Sequence, residues 1–320
     1  MSASGGTRAV VAALLANTGI AVSKFVAFLF TGSASMLAES IHSVADAGNQ
    51  GLLLFGGKQA KKAADEDHPF GYGRSRYFYA FVVAVVLFTL GALFALYEGY
   101  HKLQERGHQE GPAIKSPAVA IGVLVVAIIL ESFSFRTAII ESNLVRKGQG
   151  WIAFIKHSKS PELPVILLED LGALVGLILA LIGVVVATIT DDILYDALGT
   201  LSIGVLLGVI AVILAIETRS LLIGEGANRG ENDLIKKALT DDSEVNRLIH
   251  LKTLYIGPEE LMVAAKIEMT ATLSFAEVAR VINETEERVR AAVPTARIIY
   301  IEPDVYKAGT TPATVMPAAH

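Results

Sequence analysis

The residues best suited to chemistry lie within positions 36–55, where ionisable side chains interrupt an apolar stretch. His42 and Asp46 are four residues apart, so in a helix they lie one above the other on one face. Glu39 lies one turn earlier on roughly the same side. An imidazole and a carboxylate at this spacing can bind one divalent cation. The alternative is a polar patch that only forms hydrogen bonds between helices, because buried ionisable groups rarely face lipid.

A second pair of carboxylates, Glu169 and Asp170, stands near the start of another apolar stretch. Carboxylates at a helix N-terminus are often simple caps that the helix dipole favours. If the helix begins at Pro164, Asp170 lies about 9 Å inside it at 1.5 Å per residue. This depth weakens the capping interpretation, more for Asp170 than for Glu169.

The composition indicates that these residues belong to a membrane protein. The 320-residue chain is 52% hydrophobic and 18% charged, with a mean hydropathy of +0.52, which is well above the usage of soluble domains. It has no cysteine, which excludes disulfides and thiolate metal sites, and its net charge of -5 excludes a broadly basic nucleic-acid-binding protein. The first residues, MSASGGTR, lack the pattern of a signal peptide, so none is expected.

Six apolar segments are long enough to cross a bilayer as helices, for which roughly 20 residues are needed. These predicted spans are approximately residues 9–30, 36–57, 77–100, 117–140, 164–188 and 193–222. Lysine and arginine are enriched in the loops after the second and fourth spans, so the positive-inside rule predicts that both termini are cytoplasmic. The glycines and alanines of residues 172–183 predict close helix packing.

From about residue 224 the composition changes to that of a small soluble domain. Its hydrophobic pattern predicts helices and strands in the order αββαβ, at residues 231–239, 248–255, 261–269, 274–293 and 297–302. Ser274 and Glu277 have the spacing of a capping box. This order is typical of a ferredoxin-like open sheet with helices on one face. We therefore expect a six-helix transmembrane domain, a cytoplasmic αββαβ domain and a disordered tail, at residues 1–223, 224–304 and 305–320.

The segments SASMLAESIHSVADAGNQ and DEDHPFGYGRSRYF, the six spans and the αββαβ domain together resemble the cation diffusion facilitator family of divalent-metal transporters. The resemblance covers about residues 9–304. It implies a homodimer that exports Zn(II) or a related metal from the cytoplasm in exchange for protons, here across a bacterial inner membrane. It also implies alternating access around a tetrahedral site between the second and fifth spans. No nucleophile–base pair or HExxH helix occurs, so neither an enzyme nor a cofactor is expected.

In the cation diffusion facilitator family, which the sequence resembles, each of these two spans supplies two metal ligands four residues apart. His42 and Asp46 match the first pair, and Asp170 matches the second member of the other pair. Ile166 stands at the remaining position and cannot coordinate a metal. The resemblance therefore implies a site of one imidazole and two carboxylates that lacks a ligand.

Water, Glu169 or Glu39 would have to complete this site. Glu169 is about 100° around the helix from Asp170, so both are expected to point inward only if the helix opening is distorted. A site rich in oxygen ligands leaves Zn(II) as the first metal expected, but it strengthens the case for Mn(II), Fe(II) and Co(II). Because Ile166 removes a ligand, a non-transporting metal sensor or scaffold is the rival interpretation.

The resemblance also implies three weaker candidate ligands outside the spans. Asp65 and His68 match a peripheral metal site of some relatives. Those relatives have a further histidine in the site, and this chain has Tyr72 at that position. The alternative there is a solvated acidic entry loop. His250 matches a metal position of the cytoplasmic domain, but Lys266 occupies another such position. That domain is therefore expected to dimerise rather than to act as a strong metal sensor.

Four further polar residues in the apolar spans need an explanation: Asn17, Lys24, Glu131 and Arg136. The simplest expectation for them is hydrogen bonding between helices or, for the lysine, a side chain that reaches the membrane surface. Glu131 lies near the middle of the fourth span. A part in proton movement is the alternative for that residue.

Overall fold

The computed structural model describes residues 3–31, 34–105, 114, 116–146 and 148–306. These residues form two compact units. The first comprises the described part of Met1–Ala63 together with Ser75–Arg219. The second comprises Ala64–Arg74 and the described part of Ser220–His320, so its bounds differ from the predicted 224–304.

The first unit is built of helices. They are α1 (Ala3–Thr31), α2 (Ala34–Gln59), α3 (Ser75–Val86), α4 (Phe94–Glu105), α5 (Pro117–Arg146), α6 (Trp151–His157), α7 (Glu162–Thr190) and α8 (Leu194–Ile223), whose last residues enter the second unit. A π-helical segment, Leu87–Leu93, joins α3 to α4, so that together they form one continuous helix. The short helix α6 has no counterpart in the sequence prediction.

Within the described residues, four helices are long and apolar enough to cross a membrane: Ser75–Gln104, Pro117–Arg146, Glu162–Thr190 and Leu194–Ile223. They coincide with the third to sixth predicted spans. The first two predicted spans are also helical, as α1 and α2. Whether α1 and α2 cross the membrane, and hence the count of six, stays a prediction.

Small residues allow α7 and α8 to approach closely, as the sequence predicts. A Cβ atom added to Gly183 would lie 3.0 Å from the carbonyl oxygen of Tyr195. One added to Gly199 would lie 3.2 Å from the carbonyl oxygen of Leu179. Both distances are shorter than an ordinary van der Waals contact, so a side chain at either position would push the two backbones apart.

The second unit contains a three-stranded sheet and two helices that lie wholly within it. Its elements are α9 (Arg229–Thr240), β1 (Val245–Gly257), β2 (Glu260–Met269), α10 (Phe275–Ala292) and β3 (Ala296–Pro303). The sheet order is β1-β2-β3, with β1 antiparallel and β3 parallel to the central β2. Ile235 and Leu239 of α9 and Val289 of α10 share one apolar core with Leu261 and Val263 of β2. Both helices therefore cover the same face, which confirms the predicted αββαβ domain.

Side-chain contacts hold the start of α10 and the last described residues of this unit. Ser274 and Glu277 form the predicted capping box at the start of α10. At the other end of the unit, the guanidinium of Arg247 lies 4.2 Å from the centre of the Tyr306 ring. Tyr306 therefore packs on the sheet, two residues beyond the predicted domain end at 304. The remaining residues of the predicted disordered tail, 307–320, lie outside the described part of the chain.

Candidate functional site

Several described polar residues of α2 lie along one side of the helix. Ser43 and Gln50 are buried, and Asp46, one turn after Ser43, is half-buried. Because α2 is helical throughout Ala34–Gln59, the backbones of His42 and Asp46 are one turn apart, as predicted. The side chains of Glu39 and His42 lie outside the described part of the structure.

The start of α7 is buried on every side. The helix begins at Glu162, two residues earlier than expected, with Pro161 as the N-cap residue. Asp170 is its ninth residue and lies about 12 Å from its first at 1.5 Å per residue. All nine residues from Glu162 to Asp170 are buried. Neither Glu169 nor Asp170 is therefore a helix cap, because caps act within the first turn.

Glu169 and Asp170 face different neighbouring helices. Glu169 accepts two hydrogen bonds from α2, one from Asn49 Nδ2 at 3.0 Å and one from Gln50 Nε2 at 3.1 Å. Asp170 Oδ2 accepts a hydrogen bond of 2.8 Å from Ser134 Oγ of α5. The two carboxylates therefore do not point into one shared site from this helix, and the expectation that they do so only when the helix opening is distorted stays a prediction. The helix is regular here, and it has protein on both sides.

A cavity of about 90 Å³ adjoins these residues in the helical unit. Its charged lining consists of Lys24, Asp46, Glu131 and Glu169, and most of the remaining lining is aliphatic. The carboxylates of Asp46, Glu131 and Glu169 lie within electrostatic range of one another and of Asp170. The volume is sufficient for several water molecules or for an ion that keeps part of its hydration shell.

Two buried polar residues of α1 bond to α2. Lys24 Nζ donates to Ser43 Oγ at 3.1 Å, and Asn17 Nδ2 donates to Gln50 Oε1 at 3.3 Å. Lys24 is only 4% exposed, so its ammonium does not reach a surface. These contacts confirm the expected interhelical hydrogen bonds.

The described ligand candidates do not converge in this conformation. No three described His, Asp or Glu side chains are arranged to hold a metal ion. Ile166 is fully buried in the apolar core of the helical unit, where it offers no ligand. Asp170 Oδ1 is buried and forms no hydrogen bond with any described residue. This oxygen is therefore available to a further donor or an ion.

The loop between α2 and α3 is held by its own hydrogen bonds. One carboxylate oxygen of Asp65 accepts from the backbone N–H of His68 at 2.8 Å, and the other accepts from the hydroxyl of Tyr72 at 2.6 Å. The rings of His68 and Tyr72 are 4.3 Å apart. Asp65 thus has donors on both oxygens, which favours the solvated loop over a peripheral metal site.

His250 lies beside a fixed positive charge. It is the register partner of Lys266 across β1 and β2, and Lys266 is the register partner of Glu302 across β2 and β3. Lys266 Nζ lies 2.8 Å from Glu302 and 3.2 Å from Asp304. Its hydrogen bonds to these carboxylates raise the pKa of Lys266, which therefore stays charged. The ammonium engages the carboxylates that could join His250 as metal ligands, so the arrangement disfavours a metal site at His250.

A family model described as the cation efflux transmembrane domain matches residues 10–223, which is more than half of the chain. The chain belongs to the cation efflux family. The resemblance to cation diffusion facilitators is thereby confirmed, and the matched residues include α2, α5 and α7 with the cavity that they line.

Three relatives show how far this cation efflux protein resembles known ones. It is 31% identical over 247 residues to the mitochondrial proton-coupled zinc antiporter SLC30A9 of Homo sapiens, covering 77% of this chain and 43% of that protein. It is 30% identical over 268 residues to metal tolerance protein C4 of Arabidopsis thaliana, covering 83% of this chain and 58% of that protein. It is 25% identical over 307 residues to magnetosome protein MamB of Magnetospira sp. (strain QH-2), covering 95% of this chain and 94% of that protein. The chain spans about half the length of the first two relatives.

The site residues that the sequence did not reveal are the hydrogen-bond donors. Asn49 and Gln50 follow Asp46 by three and four residues, a spacing that places them near it on the helix surface. That spacing was the available signal. The sequence contains no comparable signal for Ser134, because serine in an apolar helix commonly bonds its own backbone.

Proposed function

We propose that this cation efflux protein exports divalent metal cations, Zn(II) first, across a membrane in exchange for protons. The observation that carries the proposal is the cavity of about 90 Å³ lined by Asp46 of α2 and Glu169 of α7, with Asp170 in electrostatic range. Carboxylates buried together are costly unless a cation or protons compensate them. A site that alternates between a metal ion and protons meets this need in both of its states.

The proposed ligands are His42 and Asp46 of α2 with Asp170 of α7. Glu169 is the proposed fourth ligand in preference to Glu39, because its carboxylate already faces α2 through Asn49 and Gln50. An incoming metal ion would take over carboxylate oxygens that these amides and Ser134 now engage. The same donors can receive the carboxylates back when the metal leaves.

Proton exchange follows from the chemistry of these ligands. Metal coordination requires deprotonated carboxylates and a neutral imidazole, so binding releases protons and protonation weakens binding. His42 is the proposed proton carrier, because an imidazole titrates near physiological pH. The relative SLC30A9 is named as a proton-coupled zinc antiporter, which agrees with this chemistry.

The proposed setting of the transporter comes from charge distribution and family. The loop lysines and arginines support cytoplasmic termini. We also propose that the membrane is the inner membrane of a bacterium. We further propose that the chain acts as a homodimer through the αββαβ domain. Because the chain has no cysteine, single cysteines introduced at loop positions would report the topology and the dimer contacts by labelling and cross-linking.

Two alternatives keep the same site. An oxygen-rich ligand set also suits Mn(II), Fe(II) or Co(II). Burial of Ile166 in place of a ligand favours a non-transporting metal sensor or scaffold. Binding without transport is the result that this second alternative requires.

The deciding experiment is reconstitution of the full chain into proteoliposomes with metal-sensitive and pH-sensitive dyes inside. We expect saturable Zn(II) uptake accompanied by opposite proton movement, and collapse of uptake when the pH gradient is dissipated. Asp46→Asn should abolish it. Asp191→Asn, which changes an exposed carboxylate at the end of α7, should not. Proton-independent uptake, or metal binding without any uptake, would refute antiport.

A further inference from the structure

Lys24 brings a buried positive charge to the carboxylate cavity. It lies on α1, lines the cavity and donates to Ser43 of α2 at 3.1 Å. Among the side chains that the structure describes, it is the one lysine or arginine that is buried. Its place beside the cavity therefore has to be explained by the charges that surround it.

Those charges are mainly negative. Glu131 is almost fully buried on the cavity wall, and it lies in electrostatic range of both Lys24 and Asp46. Carboxylates held out of water need compensation, and an ammonium group supplies it at least cost when it is fixed nearby. The hydrogen bond to Ser43 fixes the ammonium at the α1–α2 side of the cavity.

We propose that Lys24 is a built-in counter-cation of the metal cavity: it stabilises the metal-free state and lowers the affinity for divalent cations. This inference rests on the proposed function, because it concerns the same cavity. A metal ion and an ammonium in one small cavity repel each other by several times the thermal energy at an effective dielectric constant of about 20. Lys24 thus favours release of the metal, which a transporter needs as much as binding.

Ser43 is the positioning residue in this arrangement. Its hydroxyl engages one N–H of the Lys24 ammonium, and in Ser43→Ala that N–H can turn to a carboxylate instead. Removal of the hydroxyl should therefore strengthen the competition between Lys24 and the metal. Removal of the charge should abolish that competition. The two changes have opposite signs, which separates an electrostatic role from loss of structure.

The test measures Zn(II) affinity of the purified full chain by competition with a chelating dye at fixed neutral pH. We expect Lys24→Gln to bind Zn(II) about tenfold more tightly than the wild type, and Lys24→Arg, which keeps the charge, to stay within about twofold. Without metal, Lys24→Gln should melt at a lower temperature than the wild type. Saturating Zn(II) should raise its melting temperature by more than it raises that of the wild type.

Unchanged or weaker binding by Lys24→Gln overturns the proposal. If that variant does not fold, Ser43→Ala decides: weaker Zn(II) binding supports the counter-cation role, and unchanged or tighter binding overturns it. The failure of the proposed function looks different. In that case either the wild type itself does not bind Zn(II), or it binds Zn(II) without proton-coupled uptake while the affinity difference of Lys24→Gln persists.

Discussion

Ser134 of α5 and Asp170 of α7 are joined by a hydrogen bond of 2.8 Å that engages only one oxygen of the carboxylate. The other oxygen is buried and bonds to no described residue. The serine hydroxyl therefore orients Asp170 while the second oxygen remains available. This is the relationship expected of a residue that supports a metal ligand without being one.

Replacement of Ser134 by alanine should weaken Zn(II) binding by about tenfold, because hydrogen bonds that orient a ligand typically contribute this much to metal affinity. Ser132→Ala is the matched control. Its hydroxyl lies on the exposed side of the same helix and donates to the backbone oxygen of Ile128 at 2.6 Å. Calorimetric titration of both variants provides the measurement. Equal affinities for the two would show that the Ser134 hydroxyl has no part in the site.

The fourth ligand is decided by comparing Glu169→Gln with Glu39→Gln. Glutamine preserves the size of each side chain and removes the negative charge. Because Glu169 faces α2 and lines the cavity, its substitution should lower Zn(II) affinity at least about tenfold, whereas the Glu39 variant should bind as the wild type does. A larger loss for Glu39→Gln would reverse the assignment.

Hydrophobic periodicity predicted most of the fold because each element has its own amphipathic or apolar pattern. The predicted elements of the αββαβ domain each overlap the observed ones, as α10 at Phe275–Ala292 illustrates. Helix α6 was missed because seven residues are too few to display a period. The π segment Leu87–Leu93 was missed because its backbone hydrogen-bond pattern has no residue signature.

The candidate site was predictable only along each helix and not between helices. Spacing within a helix identified Asp46 and Asp170, whose ionisable groups are conspicuous in apolar segments. The helix that each carboxylate faces depends on packing around α7, so the sequence did not reveal that Glu169 turns to α2 and Asp170 to α5. The same reason hid the donor roles of Asn49 and Ser134.

The capping box of α10 should make the αββαβ domain sensitive to acid. The hydroxyl and the backbone N–H of Ser274 each lie 2.7 Å from the Glu277 carboxylate, and these hydrogen bonds lower the pKa of Glu277. The pKa is lower in the folded than in the unfolded state. The stabilisation is therefore fully present above about pH 4.3, the ordinary pKa of glutamate, and is lost as the pH falls through the lowered value.

Glu277→Gln should accordingly destabilise the start of α10 at neutral pH and have a diminishing effect as the pH falls. Hydrogen exchange of the first-turn amides of α10, in the full chain at a series of pH values, measures this effect. Glu287→Gln, an exposed position on the same helix, is the control and should show no such convergence with the wild type. A difference for Glu277→Gln that stays constant with pH would mean that its charge has no role in the cap.

The ion pair between Arg76 and Glu162 should contribute strongly to stability of the helical unit. Arg76 Nε donates to Glu162 Oε1 in the first turn of α7, and the two side chains are only 17% and 7% exposed. Arg76→Ala leaves a buried carboxylate without this partner, which should cost about 3 kcal/mol of unfolding free energy. The double variant with Glu162→Gln should recover much of that loss, because the uncompensated charge is gone. Arg136→Ala, at an exposed position of α5, should unfold in detergent as the wild type does. If Arg76→Ala and the double variant are equally unstable in chemical unfolding, the pair acts through packing and not through charge.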